Sequence, residues 1–533
     1  MYNNYTPLQQ RQLALQEYSN TQSIYLLVCA SARSTALKAT LTDQLHRKFR
    51  LVDRLDGELT ASVDGVLLAA EDVELMSTAL MYFAKALQDG ADYAVCNAVF
   101  GFGGATALYQ SQPLQAQNRC AVVSRTLLER CRAAAHDPEN VPELLALAAQ
   151  LCTKPTLIPQ ALLHYERGIC AEDAFSAHGK RAFIMSHVLD MTGAPIVLVS
   201  AVPVLRSMGY EVLVLGPSDG GSLHLFLDAG ASVITRSSCR NVSDAWGMAL
   251  CADFVIVNTV VMARAVRALS GTAVPVLWWL HDAFAGYPHI AHQIPTQLGE
   301  NVRVYSVGNH AANAMHAVRP EFEIRPLIYG LPDYAAENFV RTDLGYNRGR
   351  PLFATVGSFE RRKGHDIFCK AIRLLPPEVR EKASFLFVGQ AADKEMMDSV
   401  RALTADYPEN VYYCKRLTRD EIKSLMEQCT GLVCASRDDP MPTFVTEGLI
   451  FGKPSIVSEH TGTAGLISEG RNGFVYHNDD PQQLAVLLEH AIEHPEELAS
   501  MRTECRKMYE QYYSKEAFEQ TLRAAVEDLT AKK

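Results

Sequence analysis

Three observations predict an α/β protein built on parallel sheets. The chain has 533 residues, more than one hydrophobic core can serve, so about three domains are expected. Two near-continuous apolar runs, Ala252-Asp253-Phe254-Val255-Ile256-Val257-Asn258 and Val274-Pro275-Val276-Leu277-Trp278-Trp279-Leu280-His281-Asp282, suit strands buried on both faces of a parallel sheet. Between residues 182 and 216 an apolar strand, a glycine turn, a helix and a second apolar strand follow one another, which is a βαβ unit.

Taken along the chain, the first segments with a readable pattern are Val63–Leu75, a helix from Met76 to Gln88, Ala91–Asn97, Cys120–Arg125 and Leu157–Tyr165. The βαβ unit comes next. Its first strand, Ala182–His187, leads through Asp190-Met191-Thr192-Gly193-Ala194-Pro195 into a helix ending near Ser207, and Tyr210–Gly216 is the following strand. His187 stands at the carboxyl end of the first strand and His281 at that of the Val274–Asp282 run, the edge at which open α/β sheets bind ligands. Trp278 and Trp279 read as core and wall. A joint is expected at Ile328–Tyr334, and Gly345–Pro351 is a polar connector into a second sheet. The strand Leu352–Val356 follows, and the last helix runs from about Lys515 to Leu529.

Two segments of the second sheet carry chemistry. In Ser436-Arg437-Asp438-Asp439-Pro440-Met441-Pro442-Thr443-Phe444-Val445-Thr446-Glu447-Gly448-Leu449, two carboxylates flank a proline-stiffened loop that opens a helix. Pro442 at the first helical position loses no hydrogen bond, and the free N–H groups there, with Thr443 and Phe444 as donors, face an anion. Glu447 lies about one turn, or ~6 Å, further on, and Asp439 faces the other way. Upstream, strand Leu352–Val356 breaks at Gly357 and passes through Ser358 into the basic turn Arg361-Arg362-Lys363, whose cations suit a diphosphate.

These two segments resemble the C-terminal half of retaining glycosyltransferases of the GT-B fold, family four, whose signature is an acid, seven residues, then glutamate; here that reads Asp439 to Glu447. The resemblance continues through Phe385–Gly389, Gly431–Ser436, Gly452–Val457 and Gly470–Phe474, in the family's order, and covers essentially all of 350–510. Two positions depart from the pattern. The leading acid is aspartate rather than glutamate, and Ser358 stands where many members place arginine, which moves the cationic role to Lys363 and Arg362. Residues 182–282 resemble the N-terminal domain of the same enzymes. The resemblance implies a nucleotide diphosphate sugar as donor substrate, with no further cofactor and no metal. Lys363 and Arg362 would stabilise the diphosphate, Met441, Thr443, Phe444 and Glu447 would bind the nucleotide, and Asp439 would face the sugar. His281 would lie beside the transferred sugar, Gly193 would approach the diphosphate, and His187 would touch the acceptor.

Such an enzyme needs only about 350–400 residues, so a domain precedes it. The segments between 63 and 165 resemble the second half of a GT-A glycosyltransferase of family two. In that family an Asp-x-Asp pair holds a metal, whereas this chain reads Ala70-Glu71-Asp72. Alanine offers no oxygen to a hard cation, so a degenerate module is expected. The implied layout is 1–170 GT-A-like, 171–345 and 346–514 the two Rossmann-like halves, and 515–533 a helix crossing back.

Composition restricts the remaining classes. A net charge of -10 argues against a nucleic-acid partner. No run reaches the ~18 apolar residues of a membrane span, and Met1–Thr6 lacks the features of a signal peptide. A cytoplasmic protein is expected, peripheral at the inner face of the membrane where a lipid-linked acceptor requires it. The 13 cysteines are odd in number and without metal-ligand spacing; Cys96 and Cys434 lie in apolar runs and read as reduced core residues. The function expected is transfer of a sugar to a glycan or lipid-linked acceptor in bacterial surface polysaccharide synthesis. The alternatives are a nucleotide-sugar epimerase or phosphorylase on the same fold, or a non-catalytic glycan-binding or scaffold protein. The sequence leaves oligomeric state open.

Overall fold

The computed structural model of the protein describes residues 23–531 except 30–34, 42–43, 45, 56–61, 71–72, 77, 103–105, 111–119, 167–178, 219, 237–238 and 241–243. The chain forms two compact units, Met1–Val255 and Ile256–Lys533. The domain boundaries expected at 170, 345 and 514 fall inside these units.

The first unit holds strands β1 (Leu26–Cys29), β2 (Phe49–Val52), β3 (Gly65–Ala69), β4 (Glu74–Leu75), β5 (Tyr93–Phe102), β6 (Thr106–Gln110), β7 (Cys120–Ser124), β8 (Pro155–Glu166), β9 (Lys180–Met185), β10 (Tyr210–Gly216) and β11 (Ser232–Arg236). They make one mixed sheet in the order β9-β10-β11-β6-β5-β7-β3-β1-β2, with β8 also on β5 and β4 on β8. Because successive strand residues point to opposite faces, β1 feeds two cores. Leu26 and Val28 pack with Leu67, Leu80 and Phe83 on one side, under the helix Ala79–Gln88. Leu27 and Cys29 pack with Val66, Leu68, Leu128 and Leu144 on the other, under the helices Arg125–Ala134 and Val141–Leu151. Those two helices start where a side chain accepts an early N–H, Ser124 from Leu127 and Asn140 from Glu143.

The βαβ unit is β9, the helix Gly193–Ser207 and β10, with β9, β10 and β11 all parallel. Beyond β11 the direction reverses. Val233, Ile234, Thr235 and Arg236 pair antiparallel with Tyr109, Leu108, Ala107 and Thr106 of β6, so the segments before residue 170 continue the same sheet.

Strand β12 (Phe254–Asn258) reaches the division between units. In the second unit it neighbours β13 (Val276–Leu280), which runs parallel to β14 (Val302–Ser306) and through it to β15 (Ile324–Pro326). Trp278 and Trp279 are fully buried, and each indole N–H is satisfied at 2.9 Å, by the carbonyls of Thr259 and Leu327. Both are core residues.

The second sheet comprises β16 (Leu352–Val356), β17 (Ser384–Val388), β18 (Val411–Cys414), β19 (Gly431–Cys434), β20 (Ser455–Ser458) and β21 (Gly473–Tyr476). All are parallel, in the order β18-β17-β16-β19-β20-β21. Numbered within the sheet that is 3-2-1-4-5-6, the doubly wound order, and its topological switch point lies between β16 and β19. The last helix, Lys515–Thr530, follows a π-helical turn at Tyr509–Tyr513 and is capped by Ser514. It packs back on β13 and β15: Phe518 stacks on Trp279 at 5.8 Å and Asp528 accepts from Arg325 at 2.8 Å.

Candidate functional site

The two loops leaving the switch point are zipped together residue by residue. After β16 the chain enters a single 3-10 turn, Arg361–Lys363, closed by Gly364 in the left-handed region at φ 66. After β19 comes the loop Ser436–Pro442. Arg437 N–H donates to the Arg362 carbonyl at 2.8 Å, and the Arg362 guanidinium returns a bond to the Asp438 carbonyl at 2.9 Å. Lys363 Nζ donates to Asp439 Oδ2 at 2.6 Å. Only glycine fits at 364, because a Cβ there would stand 1.8 Å from the Ala435 carbonyl oxygen. Arg437 extends the zipper with a bidentate pair to Asp366 at 2.8 and 2.9 Å. Burial pushes the Asp366 carboxyl up, but the bonds and charge of Arg437, with those of Lys370, bring it down to about 2. His365 beside it is held neutral, its pKa lowered to about 3 by burial and then by the Lys363 charge.

Lys363 is therefore aimed by a carboxylate that is itself buried, Asp439 being 3 % exposed. The other Asp439 oxygen accepts Met441 N–H at 3.3 Å, while the Met441 side chain is buried and its sulfur accepts from Tyr513 OH. The helix that follows is Thr443–Ile450, with Pro442 as its cap at φ -70 and ψ 109. It starts one residue later than the sequence suggested, because the Pro442 backbone is extended and contributes only its carbonyl, to Val445 and Thr446. Thr443 and Phe444 N–H donate to no acceptor among the described residues, so the positive end of the helix stays available to an anion. Arg362 also pairs with Glu360, which accepts from Ser358.

Glu447 Oε1 accepts from Arg419 NH1 at 2.6 Å, and Arg419 lies 4.1 Å over the Tyr334 ring. Asp438 faces the first half of this unit, taking N–H bonds from Phe284 at 3.2 Å and Ala285 at 2.9 Å and His310 Nε2 at 2.7 Å. Burial opposes its ionisation, yet the His310 bond and charge and the two backbone donors hold its carboxyl below the usual range. Phe284–Ala285 continue from the carboxyl end of β13, where His281 packs on Trp279 with ring centroids 4.6 Å apart. The neighbouring Asp282 carboxyl is enclosed although the residue keeps some surface. Burial raises it to about 6 against the opposing Val260 and His281 N–H bonds.

The structure thus brings Lys363, Arg362, Asp439, Met441, Thr443 and Phe444 together at the switch point, with Glu447 one turn into the helix. His281 stands at the strand edge next to the segment that Asp438 holds. Gly193 and His187 belong to the first unit. Gly193 is the exposed first residue of its helix, with open space where a Cβ would go. His187 is lowered to about 4, by burial first and then by Arg240, which donates to its carbonyl at 2.6 Å. Ala70 follows β3, and Glu71 and Asp72 lie outside the described residues. Among the described residues no three His, Cys, Asp or Glu side chains gather as a metal site would need, and no helix is long and apolar enough to cross a membrane. Sequence reasoning passed over Asp438, His310, Arg419 and Tyr334. Asp438 adjoins the signature acid, but its partner His310 lies 128 residues away. Arg419 was hidden inside a capping box, Thr418 to Glu421.

Residues 178–313 match the family described as Glycosyl-transferase family 4, and residues 337–508 that described as Glycosyl transferases group 1. Glycosyltransferase domains of these two kinds are present in the chain, and residues 1–177 lie outside both. Among curated proteins the chain is similar to an uncharacterized glycosyltransferase of Methanocaldococcus jannaschii, at 25% identity over 194 residues, 36% of this chain and 53% of that protein. It is also similar to spore coat protein SA of Bacillus subtilis, at 26% over 160 residues, 28% of this chain and 41% of that protein. The matched stretches thus span about half the length of these relatives or less. Among solved structures, Anabaena HepE in complex with UDP superposes with TM-score 0.55 at 18% identity, over 66% of this chain and 100% of that one. The same protein with UDP-glucose gives TM-score 0.55 at 16% identity, over the same 66% and 100%. WaaG, a glycosyltransferase involved in lipopolysaccharide biosynthesis, gives TM-score 0.51 at 17%, over 66% and 99%. These likenesses show the fold, a mixed α/β architecture with the two Rossmann-like domains of GT-B glycosyltransferases.

Proposed function

We propose that this chain, carrying family 4 and group 1 glycosyltransferase domains, is a retaining glycosyltransferase that moves a sugar from a nucleotide diphosphate donor to a glycan or lipid-linked acceptor. The observation that carries the reading is Lys363, fixed by Asp439 at the switch point of a doubly wound sheet, beside a helix start whose first two N–H groups have no acceptor among the described residues. A cation and two backbone donors form a preorganised seat for the charge that grows on a departing diphosphate. HepE binds UDP and UDP-glucose, and that chemistry is what this seat suits.

In this reading Lys363 and the Thr443 and Phe444 N–H groups hold the diphosphate, Arg362 supports them, and Glu447 accepts from the ribose hydroxyls. The anomeric carbon passes through an oxocarbenium-like state. The leaving phosphate oxygen takes the proton of the acceptor hydroxyl on the face from which it departs, so the configuration is kept without a protein nucleophile. Asp439 aims Lys363 and faces the donor sugar, and His281 stands beside the transferred sugar. Residues 1–170 are read as a degenerate GT-A-like module without a working metal pair, and the setting as surface polysaccharide synthesis inside the cell.

The test is a donor screen. Uridine, guanosine and other nucleotide sugars are scored by thermal shift, since a ligand selective for the folded state raises its stability, and by hydrolysis. One donor should stabilise and be turned over, with the anomeric configuration retained. No binding of any nucleotide sugar, or binding undiminished in Lys363→Met, would overturn the assignment.

A further inference from the structure

Glu447 is not free to rotate. Its side chain is 14% exposed and its Oε1 accepts from Arg419 at 2.6 Å, while Oε2 accepts from no group among the described residues. Arg419 has a rigid backing in turn: its guanidinium lies 4.1 Å over the Tyr334 ring, and Lys423 approaches the same ring at 5.5 Å. Tyr334 is itself pinned from both sides. Asp333 before it takes a bidentate pair from Arg506 at 2.9 and 2.6 Å, and Glu337 after it takes Lys423 at 2.7 Å. A pair with one partner 48% exposed contributes little to stability. The planar guanidinium, seated on an aromatic face, instead restricts the direction from which it can donate.

We propose that Arg419, backed by Tyr334, is the positioning residue of the ribose carboxylate: it occupies Oε1 of Glu447 and presents Oε2 to the two ribose hydroxyls. This rests on the reading of Glu447 as the ribose acceptor and adds to it the group that sets its orientation. Arg419 touches neither the diphosphate nor the sugar. It sets how strongly the site prefers a ribonucleotide over one lacking the ribose hydroxyls. Charge-assisted bonds to a fixed carboxylate are about twice as strong as neutral ones, and a carboxylate released to solvent loses that geometry.

The experiment measures the ratio of dissociation constants for 2′,3′-dideoxy and ordinary forms of the nucleoside diphosphate that binds best among UDP, GDP, ADP and TDP. Wild type should prefer the ribose form by roughly tenfold or more, about 1.4 kcal/mol. Arg419→Gln should bring the ratio to within about twofold of unity, with the dideoxy affinity unchanged. Arg419→Lys should fall between, because it keeps the charge and loses the plane. Tyr334→Leu should reduce the ratio, and Tyr334→Phe should preserve it. A merely structural role would weaken both nucleotides equally and leave the ratio alone. An unchanged ratio in Arg419→Gln, where Glu447→Gln has lost it, overturns the proposal while the ribose reading stands. A wild-type ratio near one overturns both.

Discussion

Replacing Lys363 by methionine tests the construction of the site as well as its chemistry. The substitution keeps the stem and removes the charge, leaving Asp439, 3 % exposed, with the Met441 N–H at 3.3 Å and the Ser436 hydroxyl at 3.5 Å. Breaking a buried pair from one side costs about 3–5 kcal/mol, because the remaining charge has lost its compensation. For a cooperative unit of this size each kcal/mol lowers Tm by roughly 2–4 °C, so calorimetry should show a fall of about 6–20 °C. Asp439→Asn should lose less, since Lys363, 20% exposed, can turn to water. The double variant Lys363→Met, Asp439→Asn should therefore be more stable than Lys363→Met alone. Both variants lacking Lys363 should lose at least ~100-fold in transfer, the scale of one missing preorganised donor. Additive Tm losses in the double variant would refute the coupling, and wild-type turnover in Lys363→Met would refute the placement of the diphosphate.

Three further outcomes follow from the same geometry. His365 is kept neutral with its pKa lowered to about 3, so the unfolded chain binds its proton first, and its contribution falls as pH drops from about 6.5 toward 3, by up to ~1.4 kcal/mol per pH unit. Urea titrations should show a shallower acid loss in His365→Gln than in wild type; equal slopes would refute this. Asp282 is raised to about 6, so its folded form favours the proton, and the stability this brings is lost as pH rises through 6. Asp282→Asn should therefore gain on the order of 1–3 kcal/mol over wild type at pH 8 and little at pH 4, and a larger gain at pH 4 would reverse the sign. Gly364→Ala, facing the Ala435 carbonyl at 1.8 Å, should fail to fold or lose far more than Gly345→Ala, which has φ 69 and open space around it. The latter should cost only the ~1–2 kcal/mol of left-handed backbone, and similar Tm values for the two would refute the close approach.

What the sequence disclosed was whatever repeats over a few residues. The helix Gly193–Ser207 and the strand Tyr210–Gly216 occupy the spans expected from apolar periodicity and a glycine turn. The terminal helix extends to Thr530, one residue past the expected Leu529. The signature spacing placed Asp439 in a loop and Glu447 within a helix. It gave no sign that Asp439 is buried against Lys363, because the two lie 76 positions apart and the stretch between them carries three strands whose order alone brings β16 beside β19. The loop of Asp438 was visible, and its clasp on Phe284, Ala285 and His310 was not. Pairings of that range are set by topology and leave no local periodicity to read. The start of the Thr443 helix was misjudged by one residue for a related reason: proline fixes φ and leaves ψ to its surroundings.

The antiparallel pairing of β6 with β11 bears on how this chain can be taken apart. A boundary drawn at residue 170 passes through no gap in the sheet, since Thr106–Tyr109 supply the hydrogen-bond partners of Val233–Arg236. Expressing the chain from residue 171 onward would strip β11 of its neighbour and leave a row of unpaired backbone groups, the kind of edge that recruits other chains. The segment before residue 170 therefore provides a bordering strand for β11. Deleting that segment would convert an interior strand into a seam for aggregation.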